Sequence, residues 1–331
     1  MVSAIASVTG VVEGSELGQV LVHEHVVCGA AGVTRGAAAL AGGIPALVER
    51  AVGALRAARA EGLTTIVDAT PFDLGRDVEL LAEVSRRSGV TILAATGHWL
   101  LPSVFMSNRS VTELADLFVA DLTTGADGTS IRCGVMKVAS EEEVTPFDRR
   151  VLEAVAIAHR ETGAPIITHA AARNRIGEAQ AAVFDELGVP PDRVVIGHAD
   201  DTYDLDYLTG LADRGYVIGM DRIPCGNLPE YGGRTVDDRI GMIVDLVERG
   251  YGDRIVVSHD DPIWAGLLTA EDQVRHQLAN PDGVSFIHRR VLPALRERGL
   301  DDAAIRRLVV DNPARWLVGA DPASSGAPTS T

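Results

Sequence analysis

Cysteine is scarce in this chain: Cys28, Cys133 and Cys225 are its only three among 331 residues, widely separated and without a C-x-x-C pair. An odd, scattered set of thiols excludes a disulfide framework and predicts reduced side chains. Positive charge is also in short supply, since 30 Lys and Arg face 46 Asp and Glu for a net charge of −16. That balance excludes nucleic acid and anionic membranes as partners, because both demand basic patches. No apolar run approaches the roughly 18 residues of a membrane span. The opening stretch "MVSAIASVTGVVEG" has no basic segment followed by a sustained apolar one, so a cytoplasmic location is expected. Neither G-x-G-x-x-G nor a P-loop occurs, which leaves a nucleotide-binding sheet without its signature.

What the chain does contain is alternation. Eight short runs rich in Val and Ile, "QVLVHEH", "LTTIVDAT", "VTILAATG", "CGVMKVAS", "APIITHA", "RVVIGHAD", "YVIGMD" and "RIVVSHDD", read as buried strands. Between them lie stretches of helical period such as "LVERAVGALRAARAEG" and "DVELLAEVSRRSG", several ending in Gly as a helix C-cap does. Eight such βα units predict an α/β fold, a (β/α)8 TIM barrel, over one domain from 1 to 320; an open doubly wound sheet is the alternative. "VDNPARWL" reads as a last helix entered at Pro313, and the small polar residues 321–331 as a disordered tail. The longest segments after strands, "HWLLPSVFMSNRS", "RIPCGNLPEYGGRT" and "DDPIWAGLLTAEDQVRHQLANPDG", are candidates for building a site, because the loops after barrel strands form the active face.

The unusual residues fall at strand ends. His23 and His25 close the first strand, Lys137 lies in the fourth, His169 ends the fifth, His198 the sixth and Asp260 the eighth. A His-x-His pair presents both rings on one strand face, and a barrel gathers all these ends at one mouth. Imidazole and carboxylate suit zinc and other first-row divalent ions, and four His with one Asp exceed the needs of one tetrahedral ion that also holds water. Two divalent metal ions about 3.5 to 4 Å apart fit better, yet an ammonium at Lys137 would repel them. Carboxylation by CO2 would turn Lys137 into a bridging anion, a modification the residues alone leave open. Lys137 by itself also fits the Schiff-base lysine of a barrel aldolase. His159, His276 and His288, on helical stretches, read as structural.

At these residues the sequence resembles the phosphotriesterase family of the amidohydrolase superfamily. "FDLGRDVELLAEVSR", "AATGHW", "IGHADDT", "NPDGVSFIHRRVLPALRERG" and "NPARWL" extend the resemblance over nearly the whole chain. It implies that His23, His25 and Asp260 hold the more buried metal, that His169 and His198 hold the more exposed one, and that carboxylated Lys137 and a hydroxide bridge them. Zinc is the first expectation, with iron, cobalt or manganese as alternatives. It further implies hydrolysis by that hydroxide, with Asp260 as the proton acceptor and Asp201 in the place of the acidic residue that receives the proton next. Where phosphotriesterases carry a relaying histidine, this chain has Arg222, which cannot act as a base. The lactonase branch carries a similar "DR" pair, and "SHD" at strand eight is also lactonase-like, whereas "TGHW" resembles the aromatic wall of true phosphotriesterases.

The expected activity is therefore lactone opening, on N-acyl-homoserine lactones above all, with promiscuous hydrolysis of organophosphate triesters. A dedicated phosphotriesterase is the alternative, and a non-catalytic metal-binding barrel is a third reading. The expected pocket comprises Trp99, Leu100, Leu74, Cys225 and Trp264, although loop packing serves equally for Trp264 and small-residue packing for Cys28 and Cys225. His98 reads as a supporting or solvated residue and Glu141, Glu142 and Glu143 as a solvated loop face. A homodimer is expected from the resemblance.

Overall fold

The computed structural model describes residues 4–100, 102–228 and 233–319. Its centre is a sheet of eight parallel strands in sequential order: β1 (Gln19–Glu24), β2 (Leu63–Asp68), β3 (Thr91–Gly97), β4 (Val135–Ser140), β5 (Ile166–Ala170), β6 (Val194–Ile196), β7 (Val217–Met220) and β8 (Ile255–Val257). All eight lie inside the apolar runs seen in the sequence, in a nearly closed barrel with helices around it. Alternation divides the residues between two cores. Val20, Val67, Leu93, Val135, Ile167, Val195, Val217 and Val256 fill the lumen, while Leu21, Ile66, Ile92, Met136, Ile166, Ile196, Ile218 and Ile255 pack outward against the helices.

The helices cover the barrel with apolar faces. Ile44–Ala60 buries Leu47, Val48, Ala51, Val52, Leu55 and Ala58, the spacing of one helix stripe. Val78–Ser88 starts on the Asp77 side chain, which accepts from the Leu80 amide, and stops at Gly89 in the left-handed conformation. Asn312–Val318 is the final helix expected from "NPARWL". Its Trp316 donates to the carbonyls of Ile166 and Arg193 at 3.2 Å and joins the hairpin residues Ile5 and Val12 in closing the N-terminal end of the lumen. Among the described residues no single helix is long and apolar enough to cross a membrane.

The seam between β8 and β1 is closed by side chains as well as backbone. Asp260 N donates to His23 O at 3.0 Å and His23 N to Ser258 Oγ at 2.9 Å. Glu24, buried on the outer side, accepts from Ser258 Oγ, His259 N and His259 Nδ1 at 2.6, 3.0 and 2.7 Å. Beyond the barrel rim, Trp264–Ala265 pairs in parallel with Val27–Cys28, so the segment after β8 contains a short strand and then a helix, Ala270–Ala279. Residues 229–232 of the loop after β7, and the expected tail at 321–331, lie outside the described residues.

Candidate metal centre

Three local departures from regular strand geometry aim the site residues. Leu21 pairs with Ile66 and Glu24 with Asp68, so three steps along β1 match two along β2. This bulge adds one residue and returns Glu24 to the outer face, leaving His23 and His25 on the lumen side. His198 and Asp260, just past β6 and β8, both take left-handed backbone, with φ of 60° and 50°. Such backbone costs a non-glycine residue roughly 1 to 2 kcal/mol and points to a constrained site.

These turns bring the six candidate ligands together. Lys137 Nζ lies 2.5 Å from His23 Nε2, His25 Nε2 lies 3.0 Å from Asp260 Oδ1, and His198 Nε2 lies 2.8 Å from His169 Nδ1. Ligand atoms of His23, His198 and Asp260 all fall within 4.8 Å of one another. Lys137 is the sole lysine of the chain. Burial draws its ammonium down to about 8, against the opposing pull of Asp260 and Asp221. Burial, and then Lys137 for His23 and Arg222 for His198, hold these two rings well below the ordinary imidazole range and therefore neutral. Asp260 goes the other way: its burial is outweighed by His23, Arg222, His198 and the bond from His25, which hold the carboxyl well below the usual range.

The ring orientations come from carboxylates to which the sequence reading gave no role at the site. Asp221, fully buried, meets His23 Nδ1 with Oδ2 at 2.8 Å and His198 Nδ1 with Oδ1 at 2.9 Å. Burial, then Asp200 and Asp260, push the Asp221 carboxyl well above the usual range. In its ionised form, which a cation held by the two rings favours, it only accepts, so that both rings carry their proton on Nδ1 and turn a bare Nε2 into the lumen. Space for Asp221 comes from two glycines: a Cβ on Gly197 would stand 3.0 Å from its Oδ2 and one on Gly219 2.8 Å. Glu141, expected in a solvated face, instead places Oε2 2.6 Å from His169 Nε2. That bond puts the His169 proton on Nε2 and leaves Nδ1 bare. With Asp221 protonated, one of the two rings donates to the other across the 2.8 Å between His198 Nε2 and His169 Nδ1; with Asp221 ionised, two lone pairs face each other there. A bound cation resolves that repulsion, and the donor set suits divalent first-row ions.

Arg222 bridges the other side. Its Nε donates to Asp260 Oδ2 at 2.7 Å and its Nη1 to Asp201 Oδ2 at 3.1 Å. Behind it, wholly buried Arg239 pairs with Asp200 at 2.7 Å and with Asp201 at 2.9 Å. Asp200 in turn accepts from the amides of Asp221 and Arg222. Asp221 entered the sequence reading only as the first residue of the "DR" pair and Asp200 only within "IGHADDT", while Arg239, inside the helix Val236–Leu246, gave no signal.

The expected pocket residues separate. Trp99 packs with Leu74, Cys28, Ala265 and Leu268 in an apolar cluster of its own. Asp73 holds this wall in place by accepting from the Trp99 amide at 3.1 Å, and His98 Nδ1, 2.8 Å from the Trp99 carbonyl, donates to it. Leu100 is half-buried beside Trp99. Trp264 is buried in the large outer core and lines a cavity of about 550 Å³ together with Ala265 and Leu268, and Cys225 is buried in the turn after Arg222; neither joins the Trp99 cluster itself.

A family model described as the phosphotriesterase family matches residues 3–317. The aryldialkylphosphatase of Saccharolobus solfataricus is 34% identical over 311 residues, covering 92% of this chain and 96% of that protein. A phosphotriesterase homology protein of Mycobacterium tuberculosis is 35% identical over 318 residues, 92% of this chain and 95% of its own length. An N-acetyltaurine hydrolase of Salmo salar is 29% identical over 269 residues, 78% of this chain and 74% of that protein.

Proposed function

This chain belongs to the phosphotriesterase family, and on that premise we propose that it is a dinuclear metal-dependent hydrolase that opens lactones, N-acyl-homoserine lactones foremost, and hydrolyses organophosphate triesters more slowly. His23, His25 and Asp260 would hold the inner ion and His169 and His198 the outer one, with carboxylated Lys137 between them. The bare, inward-facing ring nitrogens fit that assignment, and an amine drawn down to about 8 is partly in the neutral form that adds CO2. When bound, such ions polarise a carbonyl or phosphoryl oxygen and supply hydroxide at neutral pH.

The observation that carries the lactone reading is Arg222 on Asp260. Asp260 Oδ2 keeps a lone pair beside the Arg222 bond and accepts the proton of the attacking oxygen. Arg222 cannot take that proton onward, so it stays in the site. A lactone needs it there: opening the ring leaves an alkoxide, and the protonated Asp260 returns the proton to that oxygen. An aryl triester releases a stable phenolate that has no such need, while its proton must still reach solvent. Arg222 donates hydrogen bonds throughout and keeps Asp260 and Asp201 in register. Trp99 and its apolar cluster provide a wall for an acyl chain.

The Trp99 wall also suits an aryl leaving group and supports the second reading, a dedicated phosphotriesterase. The test is kcat/KM of metal-quantified protein on acyl homoserine lactones, simple lactones, paraoxon-like triesters and N-acyl amides. Lactones should lead triesters by more than about tenfold, roughly 1.4 kcal/mol. A triester lead selects the second reading. Chelation should abolish the activity and added zinc restore it; activity that survives complete metal removal overturns the metal-dependent reading.

A further inference from the structure

The ligand histidines are held in unequal ways. Asp221 is 0% exposed and grips His23 with one oxygen and His198 with the other, one ring from each proposed ion set. His25 rests on Thr70 Oγ1 at 2.7 Å. His169 alone is backed by a carboxylate at the mouth: Glu141 Oε2, 2.6 Å from Nε2, on a side chain 49% exposed. Glu141 directly follows Ser140, the last residue of β4, and the Gln180 side chain fixes the His169 backbone by donating to its carbonyl at 3.0 Å. The backbone of His169 is thus set by the fold, and the ring by Glu141.

We propose that Glu141 is a positioning residue that sets the occupancy of the outer metal site, independently of the inner one. This rests on the dinuclear reading above. A neutral imidazole has one ring proton, and a carboxylate beyond Nε2 keeps it there, so that Nδ1 faces the ion as a donor. The same negative charge raises the ring's basicity. Without Glu141 the two tautomers interconvert, the ring is free to turn, and the site loses one of its two histidines for part of the time. Asp221 cannot act selectively in this way, because its two oxygens serve both ions. Glu141 touches only one.

The experiment is a zinc titration of the full chain, stripped by chelation, against a chromophoric competitor. Wild type should take up two ions. In Glu141→Ala the weaker dissociation constant should rise about 10- to 100-fold while the tighter one stays put. Glu141→Gln should fall between, since an amide oxygen still accepts from Nε2, and Glu142→Gln should match wild type. Equal weakening of both ions in Glu141→Ala, or no change in either, overturns the proposal while leaving the dinuclear reading intact. A wild type that binds no zinc overturns that reading and the proposal with it. Unfolding of the stripped variant is checked by its thermal midpoint, and if Glu141→Ala fails to fold, the Gln variant decides on the same criteria.

Discussion

Arg222 holds Asp260: Nε to Oδ2 at 2.7 Å, with Nη1 on Asp201 at 3.1 Å, so that one guanidinium ties the end of β8 to the segment after β6. Arg222→Met should lower kcat/KM on lactones at least about 30-fold, the worth of a charged hydrogen bond near 2 kcal/mol. Arg222→His places a titratable relay at the same position and should raise the triester-to-lactone ratio. An unchanged ratio in Arg222→His would remove the proton argument for lactones.

Asp221→Asn tests the shared carboxylate. An amide presents one acceptor and one donor, so it cannot accept from the Nδ1–H groups of His23 and His198 together. Affinity for both ions should fall about 10- to 100-fold. Metal analysis of the dialysed variant checks this, and two ions retained at wild-type affinity would refute it.

Because Lys137 is the sole lysine, its modification has an unambiguous readout. Protein loaded with zinc in 13C-bicarbonate should show one side-chain carbamate resonance, lost on chelation or acidification. Lys137→Ala should abolish the signal and bind fewer ions. A loaded, active wild type with no carbamate signal would rule out carboxylation.

Trp99→Ala opens the apolar cluster that it forms with Leu74, Cys28, Ala265 and Leu268, while the Asp73 bond to its amide holds the backbone in place. Losing tens of Å² of apolar contact, at about 25 cal/mol per Å², should cost long-chain acyl lactones roughly tenfold in kcat/KM relative to short-chain ones. Chain-length profiles of variant and wild type that coincide would place acyl recognition elsewhere.

His288 gives the fold an acid-sensitive point. Burial, and then His259, push its ring from the ordinary 6.5 down to about 4, and its Nε2 lies 2.8 Å from Gln19 Oε1. The unfolded chain binds this proton near 6.5 and the folded chain refuses it until about 4, so its contribution is complete above 6.5 and is lost as pH falls through that window. Wild type should therefore lose urea resistance more steeply than His288→Gln between pH 6.5 and 4.5. Parallel loss in the two proteins would exclude His288 as a contributor.

Strand by strand, the barrel was legible because apolar alternation is a property of the local chain: "CGVMKVAS" puts Val135 and Lys137 on one face in any sheet that buries both sides. The six candidate ligands were legible for a related reason. Strand ends converge in every barrel, so chemistry-bearing residues there meet whatever the loops do. Trp264 was harder, since pairing with Val27 buries it away from the Trp99 cluster. Glu141 was misread because three consecutive acids look like a solvated face until one of them finds a ring.

By itself, then, the sequence determined which residues could bind and at which end of the barrel. Only the tertiary structure decided how they are aimed. Asp221 and His23 are 198 residues apart, and Arg222 and Asp260 are 38. Their pairing depends on closing β8 against β1, on the bulge in β1, and on the left-handed turns at His198 and Asp260. Those are strains that a local pattern does not encode, because each is tolerated only where the whole barrel compensates it.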